Sequence, residues 1–330
     1  MRARGRYLAS LLAGALLLCA CVALAEASGR SASRPSEPAC GPTAPTVAAD
    51  AVGLVAERIY ENELASKEVS EDRRQVEGNM PLLSALAAGD GAAVTKAVEA
   101  LVYSGTHIVR LRVIGHGAVL ADIGGPYIIA PVTGPLRLNG HTLGRYMLSV
   151  QDDLGYVKLE TRFIGDPLLL LQDGHRIPLP GTVTPVSEPL PLAGPTSYDG
   201  SRYQTFSFSA KAFPEGTVRV SLLVPVPSGQ SESCPAVQAG ELVQIAETTW
   251  TRFTTIGASV SSYVLNLRGL LDVLGYVREG SVQLAGSTTP GPRVLPVRGH
   301  IRYRGVHYRV RSFAAAVART PVRVYMLIPS

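Results

Sequence analysis

The side chains that do chemistry are dispersed along this 330-residue sequence, and none stands at the spacing of a catalytic motif. His116, His141 and His175 flank glycine turns, where an exposed histidine is the ordinary case. Asp152-Asp153 stands at a predicted helix start, where such acids usually cap the helix and face its dipole. The sequence has no nucleophile elbow, HExxH pair, phosphate loop or calcium-binding loop. We therefore expect no enzymatic activity, no catalytic residue, no metal site and no cofactor.

The first 25 residues have the pattern of a secretory signal peptide. Arg2, Arg4 and Arg6 precede an apolar run, and Ala23-Leu24-Ala25 supplies a small-x-small cleavage site. An uncleaved membrane anchor and a lipoprotein modified at Cys21 stay open as alternatives. All three place the body outside the cytoplasm, either secreted or anchored through the N-terminal segment.

The charge and the composition exclude several classes of protein. Removal of the leader takes three Arg and no acid, which leaves 28 Lys+Arg against 26 Asp+Glu and lowers the net charge from +5 to +2. A charge this small argues against a nucleic-acid partner. With 46% hydrophobic and 17% charged residues, the chain is neither disordered nor a coiled coil.

The use of cysteine agrees with export. A chain cleaved after Ala25 keeps Cys40 and Cys234, an even number in an oxidising compartment. Neither lies in a CxxC pair or beside a histidine at ligand spacing. We expect a disulfide between them, because each precedes a predicted long helix at the entrance of its own module. Intermolecular pairing and two free thiols stay open as alternatives.

Hydrophobic periodicity divides the rest of the chain. Residues 26–45 are rich in Pro and Ser without any period and predict a flexible tether. Apolar residues from Val47 to Val76 recur at helical spacing and predict one long helix, followed by two shorter ones. From His107 to Ile114 the period changes to two, which predicts a half-buried strand. Asn139-Gly140 is typical of a two-residue hairpin turn.

An internal duplication is the most specific feature of the sequence. Residues 190–208 align without a gap on residues 295–313, and eight of the 19 pairs are identical. With one gap the alignment continues from 217–225 onto 321–329. Each copy predicts a meander of three strands with a tight turn ending in Gly, and the second copy follows a helical segment over residues 236–274. Two related modules, with a boundary near residues 228–235, account for this pattern.

A long N-terminal helix, the turn Gly78–Asp90, a further helix and an antiparallel sheet with a Gly-bounded hairpin resemble the extracellular Cache branch of PAS-like sensor domains. The resemblance implies an α+β fold, in which a PAS-like antiparallel sheet and long helix are followed by a second related α+β module. The domains expected are a signal peptide (1–25), a tether (26–45), a Cache-like ligand-binding domain (46–228) and a shorter related module (235–330). The resemblance also implies a small-molecule pocket between sheet and loops, and signals passed along the long helix.

Ligand-binding residues are predicted on the polar face of the first sheet. Alternation places Arg110 and Arg112 on one face of the first strand, and Arg145 and Ser149 together on the strand after the hairpin. Arg forks and a hydroxyl would take a carboxylate-bearing ligand, over which Tyr127 would close. Alanine at Arg112 or Arg145 should then abolish binding and leave the melting temperature nearly unchanged. An ordinary solvated sheet face is the alternative.

The function predicted from the sequence is extracytoplasmic recognition of a small molecule by a secreted or membrane-tethered, sensor-like protein. The partners expected are the ligand, a membrane-bound signalling protein and a second copy bound through the long helix. A secreted hydrolase whose residues converge only in the fold, and a passive cell-envelope protein, stay open as alternatives.

Overall fold

The structure, a computed structural model, describes residues 37–103, 106–177, 190–226 and 232–330. Ala39–Ser330 forms one compact unit. The predicted signal peptide, the cleavage site and Cys21 lie outside the described residues. Within these ranges no helix combines the length and the hydropathy that crossing a bilayer requires.

Seven α-helices occur in the described ranges, and two predicted long helices are each interrupted. Ser66 begins a new helix because its hydroxyl accepts the Val69 amide, so the predicted helix over 47–76 is two. Ser259 caps the Ser262 amide and divides the helical segment over 236–274 in the same way. The helices are α1 (Ala44–Leu64), α2 (Lys67–Glu77), α3 (Met80–Ala88), α4 (Gly91–Tyr103), α5 (Asp153–Ile164), α6 (Cys234–Thr255) and α7 (Val260–Leu271).

The first sheet has four antiparallel strands in the order β2-β1-β4-β3. Its strands are β1 (Arg110–Gly115), β2 (Ala118–Gly124), β3 (Val132–Leu138) and β4 (His141–Ser149). Asn139 and Gly140 have φ of 50° and 82° in the tight turn between β3 and β4, as the sequence predicts. One face packs through Leu111, Val113 and Leu148 into a core that includes residues of α3 and α4. The other face carries the predicted ligand-binding residues.

Two further sheets of five strands share one strand order. The second sheet is β6-β5-β9-β8-β7 and the third is β11-β10-β14-β13-β12. The strands are β5 (Leu168–Gln172), β6 (His175–Arg176), β7 (Gly194–Tyr198), β8 (Ser201–Lys211), β9 (Thr217–Pro225), β10 (Leu274–Glu279), β11 (Val282–Gly286), β12 (Gly299–Tyr303), β13 (Val306–Val317) and β14 (Thr320–Pro329). The predicted fold class, an α+β fold with a long N-terminal helix, antiparallel sheets and a second related module, is confirmed.

The repeated meander keeps its register in both copies. Gly194 pairs with Thr205 in the second sheet, and Gly299 pairs with Val310 at the equivalent place in the third. The tight turns correspond as well: Asp199 and Gly200 have φ of 48° and 76°, and their counterparts at 304 and 305 have 50° and 83°. The duplicated sequence therefore builds the same hairpin twice.

The inner faces of the second and third sheets pack into one core with α1 and α6. Gly53 of α1 is needed there, because a Cβ atom would collide with the Phe206 ring. The predicted disulfide is present: Cys40 and Cys234 are bonded, with their Cα atoms 4.6 Å apart. It joins the residue before the first helical turn to the first residue of α6. The domain division stays a prediction, and part of its boundary lies outside the described residues.

The long helix α1 is enclosed by its own chain. It packs against α5, α6, α7, β8 and β9. Leu54, 45% exposed, is the one large hydrophobic side chain of α1 that stays open to solvent. A homodimer through this helix stays a prediction.

Candidate functional site

The register of the first sheet places the predicted ligand-binding residues on one face. Arg110 pairs with Ser149, Arg112 with Met147, and Ile114 with Arg145, and directly paired residues point to the same side. Arg145 is exposed, whereas Ser149 is fully buried. The strand alternation is therefore as predicted, but the five residues do not form one cluster.

The two arginines of β1 converge on a carboxylate that the sequence prediction missed. Arg110 donates from Nε and Nη2 to the two oxygens of Asp122, at 3.0 Å each. Arg112 donates from Nε and Nη2 to Asp122 Oδ2, at 3.1 and 2.6 Å. Asp122 lies opposite Arg112 across the β1–β2 hairpin, so pairing the two strands around the turn at residues 115–117 would have found it. These two arginines thus pair with a carboxylate of their own chain, and ligand binding by the five predicted residues stays a prediction.

The three charged side chains of this cluster are mostly buried, and both arginines lie within hydrogen-bond distance of Asp122. The side chains of Arg110, Arg112 and Asp122 are 15%, 18% and 24% exposed. Burial opposes the ionisation of Asp122, but the hydrogen bonds from both arginines outweigh burial and lower the pKa of Asp122. The Phe213 ring lies under the guanidinium groups, 4.2 Å from Arg110 Cζ and 5.8 Å from Arg112 Cζ. The cluster thus joins the first sheet to the β8–β9 turn.

The segment that contains Tyr127 is fixed from several sides. Arg110 Nη1 donates to the Tyr127 carbonyl at 3.0 Å. The Ile128 and Ile129 amides donate to Asp153 Oδ1 at 2.9 and 3.1 Å, and the Ser149 hydroxyl donates to the Ile129 carbonyl at 2.7 Å. Ser149 and Arg110 therefore position this segment.

The adjacent acids at the start of α5 have different roles. Asp152 is the N-cap, as interpreted from the sequence, because its carboxylate accepts the Gly155 amide at 2.6 Å. Asp153 instead turns inward to the segment at residues 128–129. Burial raises the pKa of Asp153, and the two amide hydrogen bonds lower it only in part.

A second group of polar side chains lies on the outer face of the second sheet, which is the face turned away from α1. Ser207 and Ser221 are 2.9 Å apart, oxygen to oxygen, across β8 and β9. Thr205 lies on the same face of β8, two residues before Ser207, and is 1% exposed. Its Oγ1 has no hydrogen-bond partner among the described residues. Around these hydroxyls is an apolar cluster: Leu169, Leu171, Leu190 and Leu223, with Tyr198 and Tyr203.

The same face of the third sheet is filled with larger side chains. Tyr325 pairs with Tyr276 at the place where Ser221 pairs with Leu169 in the second sheet. Arg278 pairs with Arg323, where Leu171 pairs with Arg219. The first copy thus has Leu169 and Ser221 at the two positions where the second has Tyr276 and Tyr325, and it has Leu171 in place of Arg278.

Side chains of this face bind residues 288–297 of their own chain, which form the covering segment of the third sheet. The Tyr276 hydroxyl is 2.7 Å from Thr288 Oγ1, and Tyr303 donates to the Pro290 carbonyl at 2.8 Å. Arg278 donates to the carbonyls of residues 292 and 293. Ser312, the counterpart of Ser207, donates to the Val297 carbonyl at 2.8 Å. In the first copy Ser207 bonds Ser221 instead, and Leu171 has no donor to offer.

The difference between the copies is visible in the aligned sequences. Identical pairs reveal a duplication, whereas pairs that differ in size on the outer face show where the two copies diverge. Ser221 aligned with Tyr325 is such a pair.

A cleft of about 180 Å³ lies between α1, α6 and the end of β14. At its rim Arg58 donates to the Leu270 carbonyl at 3.0 Å and is 3.9 Å from Asp272. Arg58 and Asp272 carry opposite charges at the carboxyl end of α7, and the Arg58 guanidinium caps that end of the helix.

No protein-family model matches the sequence, and no curated protein sequence matches it. Among solved structures the chain is similar to ligand-binding domains of chemoreceptors and to a periplasmic domain. One is the domain of the Pseudomonas fluorescens chemoreceptor CtaA with L-serine, at 11% identity, covering 51% of this chain and 95% of that chain, with a TM-score of 0.30. Another is the periplasmic domain of Vibrio cholerae LuxQ, at 12% identity, covering 87% and 99%, with a TM-score of 0.16. A third is the domain of the Pseudomonas aeruginosa receptor PctC with GABA, at 12% identity, covering 83% and 95%, with a TM-score of 0.16.

Proposed function

We propose that this chain is an extracytoplasmic small-molecule-binding protein of the sensor type, and that its ligand lies on the outer face of the second sheet. The observation that carries the proposal is the Thr205 hydroxyl, which is buried with no partner among the described residues. A buried hydroxyl without a hydrogen bond costs about 1–3 kcal/mol, so folded chains rarely keep one unless another molecule satisfies it.

The comparison of the two copies supports the same place. Both sheets have one order and one register, yet the second sheet has Ser221 where the third has Tyr325. In the third sheet the volume over the strands is occupied by its own tyrosines and by the segment they bind. In the second sheet the corresponding side chains are the smaller Leu169 and Ser221, and the hydroxyls of this face lie among apolar side chains. The segment that would correspond to the covering segment lies mostly outside the described residues. On this proposal the third sheet binds no ligand and has a structural role.

The chemistry of the face favours a small ligand with an acidic or hydroxylated end. Ser207 and Ser221 can each donate or accept a hydrogen bond. Arg219, half-buried, lies two residues before Ser221 on the same face and can pair with a carboxylate. We therefore place a carboxylate-bearing ligand at this face and not at the arginines of β1, because Asp122 already pairs with those arginines. We propose recognition without turnover, and a membrane-bound partner that reads the occupied state.

The test is a thermal-shift screen of the purified body against amino acids, mono- and dicarboxylates and nucleobases. A ligand at about 100 times its Kd stabilises the protein by about 2.7 kcal/mol. Ser221→Tyr, which copies the third sheet, is expected to abolish the shift given by the best compound. Tyr325→Phe is the matched control in the other copy and should keep the shift. Thr205→Val serves as a second variant of the site with a smaller change in volume.

Two results would overturn the proposal. One is a shift that survives in both Ser221→Tyr and Thr205→Val. The other is a shift that is lost in Arg145→Ala, since that residue lies on the first sheet, far along the chain from the proposed face.

A further inference from the structure

The buried stripe of α5 carries acids where a core helix usually carries hydrocarbons. The residues that face inward are Asp153, Tyr156, Glu160 and Ile164, spaced at three and four positions. Asp153 holds the segment at residues 128–129, as described above. Glu160 has no such structural role, because it accepts no backbone amide among the described residues.

Glu160 is an isolated buried carboxyl. It is 0% exposed, and its Oε1 accepts the Tyr156 hydroxyl at 2.6 Å. Its Oε2 is buried and has no hydrogen-bond partner among the described residues. A carboxylate in such a place has one hydrogen bond where it could accept four, so its charged form is poorly compensated.

The groups that surround Glu160 do not supply a matching charge. On α1, the Tyr60 ring meets the Tyr156 ring edge-to-face at 5.5 Å, and Glu63 carries a charge of the same sign as that of Glu160. On α6, Arg252 interacts with Glu63 and stacks on the Phe163 ring at 4.5 Å. From β5 the residues over 168–172 are four leucines and a glutamine, with nothing that titrates.

We propose that Glu160 is a proton-binding switch in the junction of α1, α5 and α6: the protonated carboxyl holds α5 against α1, and its ionisation loosens that junction. The proton comes from solvent water and returns to it. The proposal is independent of the small-molecule site, because none of its groups lies on the outer face of the second sheet. It gives a protein exposed to the extracytoplasmic medium a response to the pH of that medium.

The direction of the response follows from burial. Burial raises the pKa of Glu160 to about 8, the Tyr156 hydrogen bond lowers it in part, and Glu63 raises it further. In an opened junction the carboxyl returns to an ordinary pKa of about 4.3. Since the closed state holds the proton more tightly, its stability is complete below the open-state pKa and is lost as pH rises to about 8.

The test is amide hydrogen exchange of α1 and α5 in the full chain, between pH 5 and pH 9, corrected for intrinsic exchange. The opening equilibrium of the wild type should rise about tenfold for each pH unit up to the folded pKa and then level off. Glu160→Gln keeps the shape and the acceptor for Tyr156 and should remove this dependence. Glu99→Gln, an exposed acid of α4, is the matched control and should keep it.

A direct measurement covers the case in which Glu160→Gln folds poorly. The carboxyl carbon of Glu160, followed by NMR, should titrate near neutral or mildly alkaline pH. In Tyr156→Phe its midpoint should move to higher pH, because the hydrogen bond that favours the ionised form is gone. A carboxyl already ionised at pH 6 in the folded protein would overturn the proposal, as would an unchanged pH dependence in Glu160→Gln.

Discussion

Ser207 and Ser221 face each other across β8 and β9 with 2.9 Å between their hydroxyl oxygens, and at the same two positions of the other copy stand Ser312 and Tyr325, also paired across their strands. The duplicated strands have therefore kept their backbone and diverged at the face they cover. Ser207 forms a hydrogen bond with the neighbouring Ser221, whereas Ser312 donates to the Val297 carbonyl of the covering segment. This divergence leaves smaller side chains on the outer face of the second sheet, where we place the ligand.

Replacement of the unpartnered hydroxyl separates binding from stability. Thr205→Val removes a buried polar atom and keeps the shape, so the free energy of unfolding should stay the same or rise by about 1 kcal/mol. The ligand-induced thermal shift should fall in the same variant. Urea unfolding measures the first quantity and the compound screen measures the second.

Thr249→Val is the control for that substitution. Thr249 is buried as well, but its hydroxyl donates to the Ala246 carbonyl at 2.9 Å. Its loss should cost about 1 kcal/mol and leave the ligand shift intact. Equal costs for the two threonines would mean that the Thr205 hydroxyl is satisfied in solution.

The arginine cluster on the first sheet is expected to act on stability. Asp122→Asn leaves Arg110 and Arg112 without their shared carboxylate and should lower the free energy of unfolding by about 2 kcal/mol at pH 7. Arg112→Ala should also destabilise, in contrast to the sequence-based expectation, whereas Arg145→Ala should be nearly neutral because Arg145 is exposed. Urea titrations of the three variants check this.

The pH dependence of the same cluster has a definite sign. The folded pKa of Asp122 is lowered, so its ionised form contributes stability above the unfolded pKa of about 3.9. That contribution is lost as pH falls through the folded value. The difference between wild type and Asp122→Asn should therefore shrink in acid, and a difference that stays constant down to pH 2 would contradict this account.

The disulfide should be a large part of the stability. It closes a loop with a sequence separation of 194 residues, and a cross-link of this length contributes about 2–5 kcal/mol. The double variant with serine at Cys40 and Cys234 should lose that amount in urea unfolding. Reductant should lower the stability of the wild type and not that of the variant. A wild type indifferent to reductant would show that the bond adds nothing.

Local patterns in the sequence predicted much of the fold because they depend on neighbours along the chain. The alternation of arginine and aliphatic residues in β1, the turn at Asn139-Gly140 and the duplicated meander all appear in the structure. The break at Ser66 was missed because the apolar spacing of α1 continues across it, and only the cap marks the new helix. The spacing of apolar residues shows which face of a helix is buried, but it does not show where the helix ends.

The candidate sites were harder to predict because their partners come from distant parts of the chain. Asp122 takes up the arginines predicted to bind a ligand, and Phe213 reaches the same cluster from the β8–β9 turn. Glu160 reads in the sequence as an ordinary helix acid, and only the packing of α1 and α6 against α5 buries it. Burial and tertiary pairing decide these roles, and a single sequence does not contain them in local form.

The third sheet offers a test of why its outer face is closed. Arg278 is buried and donates to the carbonyls of residues 292 and 293, and its counterpart in the second sheet is Leu171. Arg278→Leu copies the first module and leaves those carbonyls without their donor, so the covering segment should detach more often. Tryptic cleavage after Arg293 and Arg298, two exposed sites in or beside this segment, should become faster.

Arg302→Leu is the matched control for that cleavage. Arg302 is exposed on β12, so its substitution removes a charge without changing a contact of the covering segment. Its cleavage rate at the two sites should equal that of the wild type. If Arg278→Leu were cleaved no faster than Arg302→Leu, the covering segment would be held by its apolar contacts through Leu295 alone. The difference between the copies would then lie only in the bulk of Tyr276 and Tyr325, and Ser221→Tyr would become the decisive substitution for the second sheet.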